Sequence, residues 1–263
     1  MAKKNKIILK IGRLMKLLTY LINLDGSDER LKRATDILHE QGVVFERVSA
    51  FDGRGVDVSN IQDYDENKAL AYMGRTLKGG EIGCYFSHLN CAKKFLASDA
   101  EFVMVLEDDM QATEDLMIKV DETLDWLESG GIDWYLINIG ALKRKIHTPL
   151  HKIQHHILSK AHYFPMTTTG VIWSRKGAQF FIDSALPVYA PIDNFFRDWL
   201  TDNNKGLSVY PPLVYSSESF ESDIDGGRGK RKSIGRTKYY GYAKQKRLWK
   251  DKVKALKNKY LND

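Results

Sequence analysis

The chain has 263 residues, 43% of them hydrophobic and 11% aromatic, which supports a buried core and excludes a globally disordered chain. Its formal charge of +6 conceals an asymmetry: from Arg228 onward there are 14 Lys and Arg against 2 acids, whereas the residues before it carry 26 basic and 32 acidic groups. A basic tail on a mildly acidic body argues for a local anionic partner and against a whole-protein nucleic-acid binder.

At the N-terminus, Ile7, Ile8, Ile11, Leu14, Met15 and Leu18 share one helical face, with Lys6, Lys10 and Arg13 off it. This predicts an interfacial amphipathic segment over 1–18. Lys10, Arg13 and Lys16 interrupt the apolar stretch that a signal peptide needs, so export by that route is not expected. No segment approaches the roughly 20 apolar residues that span a bilayer. Tyr20 to Leu24 reads as a buried strand, Ser27 as the cap of a helix over 28–40, and Phe45 to Val48 as a second strand. Such an opening begins an open α/β sheet, where ligands gather at the carboxyl ends of strands; Asp25 and the Ala50–Gly53 turn lie at such ends.

Residues 56–75 are polar and predict a loop with a short helix. From Glu81 to Ala97 the apolar spacing is helical, with Glu81, Cys84 and His88 on a neighbouring face. Cys84 is read as packing. Cys84 and Cys91 stand seven apart on this helix, about 10 Å, which is beyond disulfide reach and suits a reducing compartment. Phe102 to Leu106 is the clearest strand and ends in Glu107-Asp108-Asp109. Then follow a helix over 113–128, a strand over 134–139, a basic His-containing stretch to about Pro165, a strand over 170–173, a helix over 175–185, and a helix opening at Asp193 after Pro191. His147, His151, His155 and His156 lack the cysteine or distant partners of a zinc site. One α/β domain over 19–225, with a mainly parallel open sheet flanked by helices, is the economical reading, followed by a basic, helical tail over 226–263. That tail carries Tyr239, Tyr240, Tyr242, Leu248 and Trp249 among lysines, so both basic ends suit an anionic membrane surface, with a solvated helix pair packed on the body as the alternative.

Three successive carboxylates at the end of a buried strand repel one another and need a cation. Residues two apart on an extended chain point the same way, so Glu107 and Asp109 can face one site while Asp108 turns elsewhere. Hard oxygen ligands suit magnesium or manganese, and open coordination positions suit a diphosphate. An acidic turn that caps the following helix is the alternative.

Four blocks in order resemble glycosyltransferase family 25, the group of bacterial lipooligosaccharide galactosyltransferases and collagen galactosyltransferase domains. They are Leu21-Ile22-Asn23-Leu24-Asp25 with Arg30, Gly80 to Cys84 through Ser87-His88, Val105 to Asp109, and Thr169 to Ile172 leading to Pro191-Ile192-Asp193. The resemblance implies a GT-A type fold, a nucleotide-sugar donor, commonly UDP-galactose, and inversion at the anomeric carbon. It further implies that Asp109 binds Mn²⁺ or Mg²⁺ directly, Glu107 through water or ribose, and that Asp108 contacts the ribose. Asp193 is the expected general base, with Asp198 in reserve and an ordinary helix cap as the other reading. Asn23, Arg30 and Asp52 are expected along the nucleotide, with Arg30 open to a solvated helical role; Ser87 and His88 face the donor or serve structure. Ser222 and Arg228, with the Gly226–Lys230 loop, form a segment able to close over the diphosphate, with a Gly-rich turn leading into the tail as the alternative. The implied acceptor is a lipid-linked saccharide, met at the inner face of the cytoplasmic membrane, with no nucleic acid as partner. Two competing functions remain open: a nucleic-acid binder using the basic tail, and a glycosyltransferase-like binding module without turnover.

Overall fold

The computed structural model describes residues 16–216 and 236–261. The chain opens with β1 (Leu17–Asn23), α1 (Asp28–Glu40) and β2 (Glu46–Ser49). Leu17 and Leu18 are therefore strand residues, and the rest of the amphipathic N-terminal segment lies outside the described residues. Next come α2 (Glu66–Met73) and α3 (Gly79–Leu96), then β3 (Phe102–Glu107), β4 (Met110–Ala112), α4 (Leu116–Ser129) and β5 (Leu136–Asn138). The His-containing stretch forms a hairpin, β6 (Thr148–Ile153) and β7 (His156–Lys160). The remainder is β8 (Gly170–Ser174), α5 (Arg175–Ser184), α6 (Ile192–Asn203), β9 (Gly206–Tyr210), β10 (Val214–Ser216) and α7 (Tyr240–Leu261).

Eight strands form one sheet in the order β2-β1-β3-β8-β5-β9-β7-β6, and β4 pairs with β10 beside it. The expected mainly parallel sheet is not observed. β1 runs parallel to β2 and to β3, and β5 parallel to β9, but the other four neighbouring pairs are antiparallel. The physical reason lies in β8, which follows the β6–β7 hairpin and returns into the gap between β3 and β5 from the opposite end. A strand buried on both faces shows a continuous apolar run, and such a run carries no mark of direction.

Both faces of the sheet are covered. On one, α2, α3, α5 and α6 pack around Tyr85, Phe95, Trp173, Phe181 and Phe196, with Trp173 stacked on Phe181 at 5.0 Å between ring centroids. On the other, α1 and α4 pack Leu38, Val120 and Leu124 against Met104, Leu106 and Ile172. α7 docks on α6 and α2 through buried Arg247, Asp251, Ala255 and Asn258. No helix among the described residues is long and apolar enough to cross a membrane.

Candidate active site

The carboxyl ends of β1 and β3 open into a cleft of roughly 730 Å³, its mouth included. The turn at 50–54 and the start of α3 form its walls, and Arg30, Asp52, Cys84, His88 and the Glu107-Asp108-Asp109 triplet line it. These walls approach at backbone distance because both carry glycine. A Cβ built on Gly79 would stand 1.9 Å from the Gly53 carbonyl oxygen, and one on Gly83 would stand 2.5 Å from that of Phe51. Ser87 completes the join: its Oγ accepts from the Phe51 amide at 2.9 Å and donates to the Gly83 carbonyl at 2.8 Å.

The three acids have different surroundings. Asp108 is held by Arg30 through Oδ1 and by Asn23 Nδ2 through Oδ2, both at 2.7 Å. Asn23 is fixed in turn by Arg47 Nε at 2.9 Å. Glu107 Oε1 meets His88 Nε2 at 3.1 Å, accepts from the Thr168 hydroxyl at 2.6 Å, and lies 3.8 Å from Cys84 Sγ. Burial pushes the Glu107 carboxyl up, but His88, Thr168 and Arg30 outweigh it and hold the group below its usual range. Asp109 accepts from Ser216 Oγ at 2.5 Å through Oδ2, while its Oδ1 is buried without a partner among the described residues. Burial, and then the charge of Glu107, pushes the Asp109 carboxyl up to about 6.

An orphaned carboxylate oxygen beside a second acid is what a cation satisfies, so the residues present fit a divalent ion. Among the described residues, Glu107 groups with Cys84 and His88, whose ligand atoms and its own all lie within 4.8 Å of one another, a mixed sulfur, nitrogen and oxygen set, while Asp109 feels the Glu107 charge. Burial, then Glu107 and Asp193, push the Cys84 thiol well up, which disfavours the thiolate that metal binding needs.

Residues 17–196 match the model of glycosyltransferase family 25, described as an LPS biosynthesis protein. The chain belongs to glycosyltransferase family 25. It is 26% identical over 215 residues to procollagen galactosyltransferase 1 of Danio rerio, covering 74% of this chain and 35% of that protein. It is 28% identical over 217 residues to procollagen galactosyltransferase 1-B of Xenopus laevis, again 74% of this chain and 35% of the relative. A probable inactive glycosyltransferase 25 family member 3 of Rattus norvegicus is 27% identical over 125 residues, 46% of this chain and 22% of that protein. The chain thus spans about a third of the length of the curated procollagen relatives it matches.

Around this family 25 cleft the other candidates fall differently. Asp52 lines it but pairs with Arg54 at 2.9 Å, whose guanidinium holds its carboxyl down to about 2. Asn23 sits behind Asp108 and acts on the cleft through it. Asp193 is the second residue of α6, with Pro191 as the cap; its Oδ1 accepts from the amide of Asn194 at 2.6 Å and from the side-chain nitrogen at 2.8 Å, and burial pushes its carboxyl up. Asp198 instead faces α7, near Lys250 and Lys254. Ser222, Arg228 and the Gly226–Lys230 loop lie outside the described residues. Thr168 and Ser216 join the acids without any sequence signal, whereas Cys84, read as packing, stands one helical turn before His88 and could have been placed by that spacing.

Proposed function

We propose that the protein transfers a hexose, galactose from UDP-galactose, with inversion onto a saccharide hydroxyl in lipooligosaccharide or surface-glycan assembly. The Oδ1 of Asp109, buried and without a partner among the described residues, just past Glu107 at the end of β3, carries this reading. Asp109 and Glu107 would hold Mn²⁺ or Mg²⁺, which supplies Lewis-acid stabilisation of the charge on the departing diphosphate. Arg30 and Asn23 keep Asp108 fixed at the cleft wall, where its edge can meet the ribose. Asp193 takes the proton of the acceptor hydroxyl, an effect of about 10²–10⁴-fold; a carboxyl already pushed up by burial binds that proton more readily. A lipid-linked acceptor would place the protein at the inner face of the cytoplasmic membrane.

A panel of nucleotide sugars, incubated with the full chain with and without Mn²⁺, tests the reading. UDP-galactose is expected to be hydrolysed fastest, with activity lost to chelator and lowered by about 100-fold or more in Asp109→Asn. Hydrolysis indifferent to both chelator and Asp109→Asn would overturn it. The likeness to a probable inactive family member supports a second reading, a module that binds the donor without turnover. Metal-dependent donor binding with no hydrolysis of any sugar in the panel would select it.

A further inference from the structure

α7 turns two different faces in two directions. On a helix of 3.6 residues per turn, buried Arg247, Asp251, Ala255 and Asn258 fall within an arc of roughly 80°, and this face packs on the body. Directly opposite, within about 60°, lie Tyr242, Trp249, Val253, Leu256 and Tyr260. These five are 68%, 64%, 60%, 45% and 70% exposed. An apolar stripe pointing away from the core receives no support from the fold that carries it, and its contiguity separates it from scattered surface hydrophobics.

The residues beside the stripe say what covers it. Lys246, Lys250 and Lys257 border one side, and Lys252 and Lys259 the other, with the Lys252 ammonium 5.4 Å from the Trp249 ring and that of Lys259 5.4 Å from the Tyr260 ring. The helix holds a single acid, Asp251, which is turned inward to Arg197. A second copy of the chain would bring lysines against lysines. The N-terminal segment, with Lys3, Lys4, Lys6, Lys10 and Arg13, has the same sign. A nucleic acid would satisfy the lysines but leaves Val253 and Leu256 without a counterpart.

We propose that the outward face of α7 docks on an anionic lipid surface, with the Tyr242-to-Tyr260 stripe seated among the headgroups and the flanking lysines against their phosphates. Tyr and Trp are suited to that depth because each joins an apolar ring to a polar edge, and lysine stems reach past apolar surface to water. The docking depends on the geometry and charge of this helix and is independent of the reaction assigned to the cleft.

Co-sedimentation of the full chain tests it, with vesicles of phosphatidylcholine alone or mixed with phosphatidylglycerol. Binding is expected with the anionic vesicles and not with the neutral ones. Trp249→Ser/Tyr260→Ser should weaken it by about tenfold or more. Lys246→Gln/Lys257→Gln should weaken it at low salt by about fivefold per charge. All the changed residues are exposed, so circular dichroism and donor hydrolysis should match wild type. A wild-type chain that stays in the supernatant with both vesicles overturns the proposal. So does a stripe variant that pellets like wild type while the lysine variant does not, because that marks mere polycation binding. Hydrolysis measured in the same preparations separates this outcome from failure of the proposed reaction.

Discussion

Asp108, the middle acid of the triplet, is the one least available to a cation, because Arg30 and Asn23 each hold one of its oxygens. Asn23 is nearly fully buried, so Asn23→Ala would strip a partner from Asp108 and from Arg47 with little water to replace it. A cost of about 1–3 kcal/mol in urea unfolding is expected. Asn23→Asp, which sets a second carboxylate against Asp108, should cost more; equal stability of both variants with wild type would contradict the arrangement. Cys84 supports a chemical prediction. Burial, then the charges of Glu107 and Asp193, disfavour its thiolate, so alkylation by iodoacetamide should be slow at neutral pH and accelerate only as pH rises well past the ordinary thiol range. Mass spectrometry of the labelled chain would show rapid neutral-pH modification if the thiol were activated instead. At this scale Asn23, Glu107, Asp108 and Asp109 could be brought to one end of the sheet from the sequence because they stand at or just past strand ends. Asn23 and Arg30, expected along the nucleotide, instead bind Asp108, Arg30 from the first turn of α1. The sequence could not place Thr168 or Ser216, which reach the acids from segments 61 and 107 residues away in the chain.

Between elements, the decisive contact is the glycine join of α3 to the turn at 50–54. The Cβ of Gly79→Ala would meet a backbone carbonyl at 1.9 Å, and backbone cannot rotate aside as a side-chain tip can. A destabilisation of about 1–3 kcal/mol is expected, with the cleft wall displaced. Its signature is a lower melting temperature together with a raised KM for the donor. Gly241→Ala is the control, since its Cβ meets nothing within 4 Å. If the two variants melt alike, the close approach does not hold this wall. The helices of this wall and of the core were legible from their apolar spacing, and β1, β3 and β8 from their buried runs. Strand direction was not, because the turn into β8 depends on a hairpin whose polar, His-bearing β6 and β7 give weak alternation. The sheet therefore came out mixed where βα alternation alone suggested parallel.

Across the whole molecule, α7 reaches the candidate base through a chain of polar contacts. Asp251 accepts from Arg197 Nε at 3.0 Å, Arg197 Nη2 donates to Asn194 Oδ1 at 3.1 Å, and Asn194 Nδ2 donates to Asp193 Oδ1 at 2.8 Å. Both members of the ion pair are buried, with side chains 4% and 0% exposed, so neither can turn to water when the other is removed. Asp251→Ala would leave the Arg197 guanidinium buried and uncompensated, a loss of about 3–5 kcal/mol. Arg197→Ala strands Asp251 in the same way. Because each single change leaves one buried charge and the double change leaves none, the double variant should be less destabilised than the sum of the two in a denaturant-based cycle. Simple additivity would mean that the two groups do not share their burial cost. The turnover number for donor hydrolysis should fall in Asp251→Ala by less than in Asp193→Asn, since Asp251 reaches Asp193 only through two intermediaries, whereas loss of the carboxylate at 193 removes the proposed proton acceptor itself.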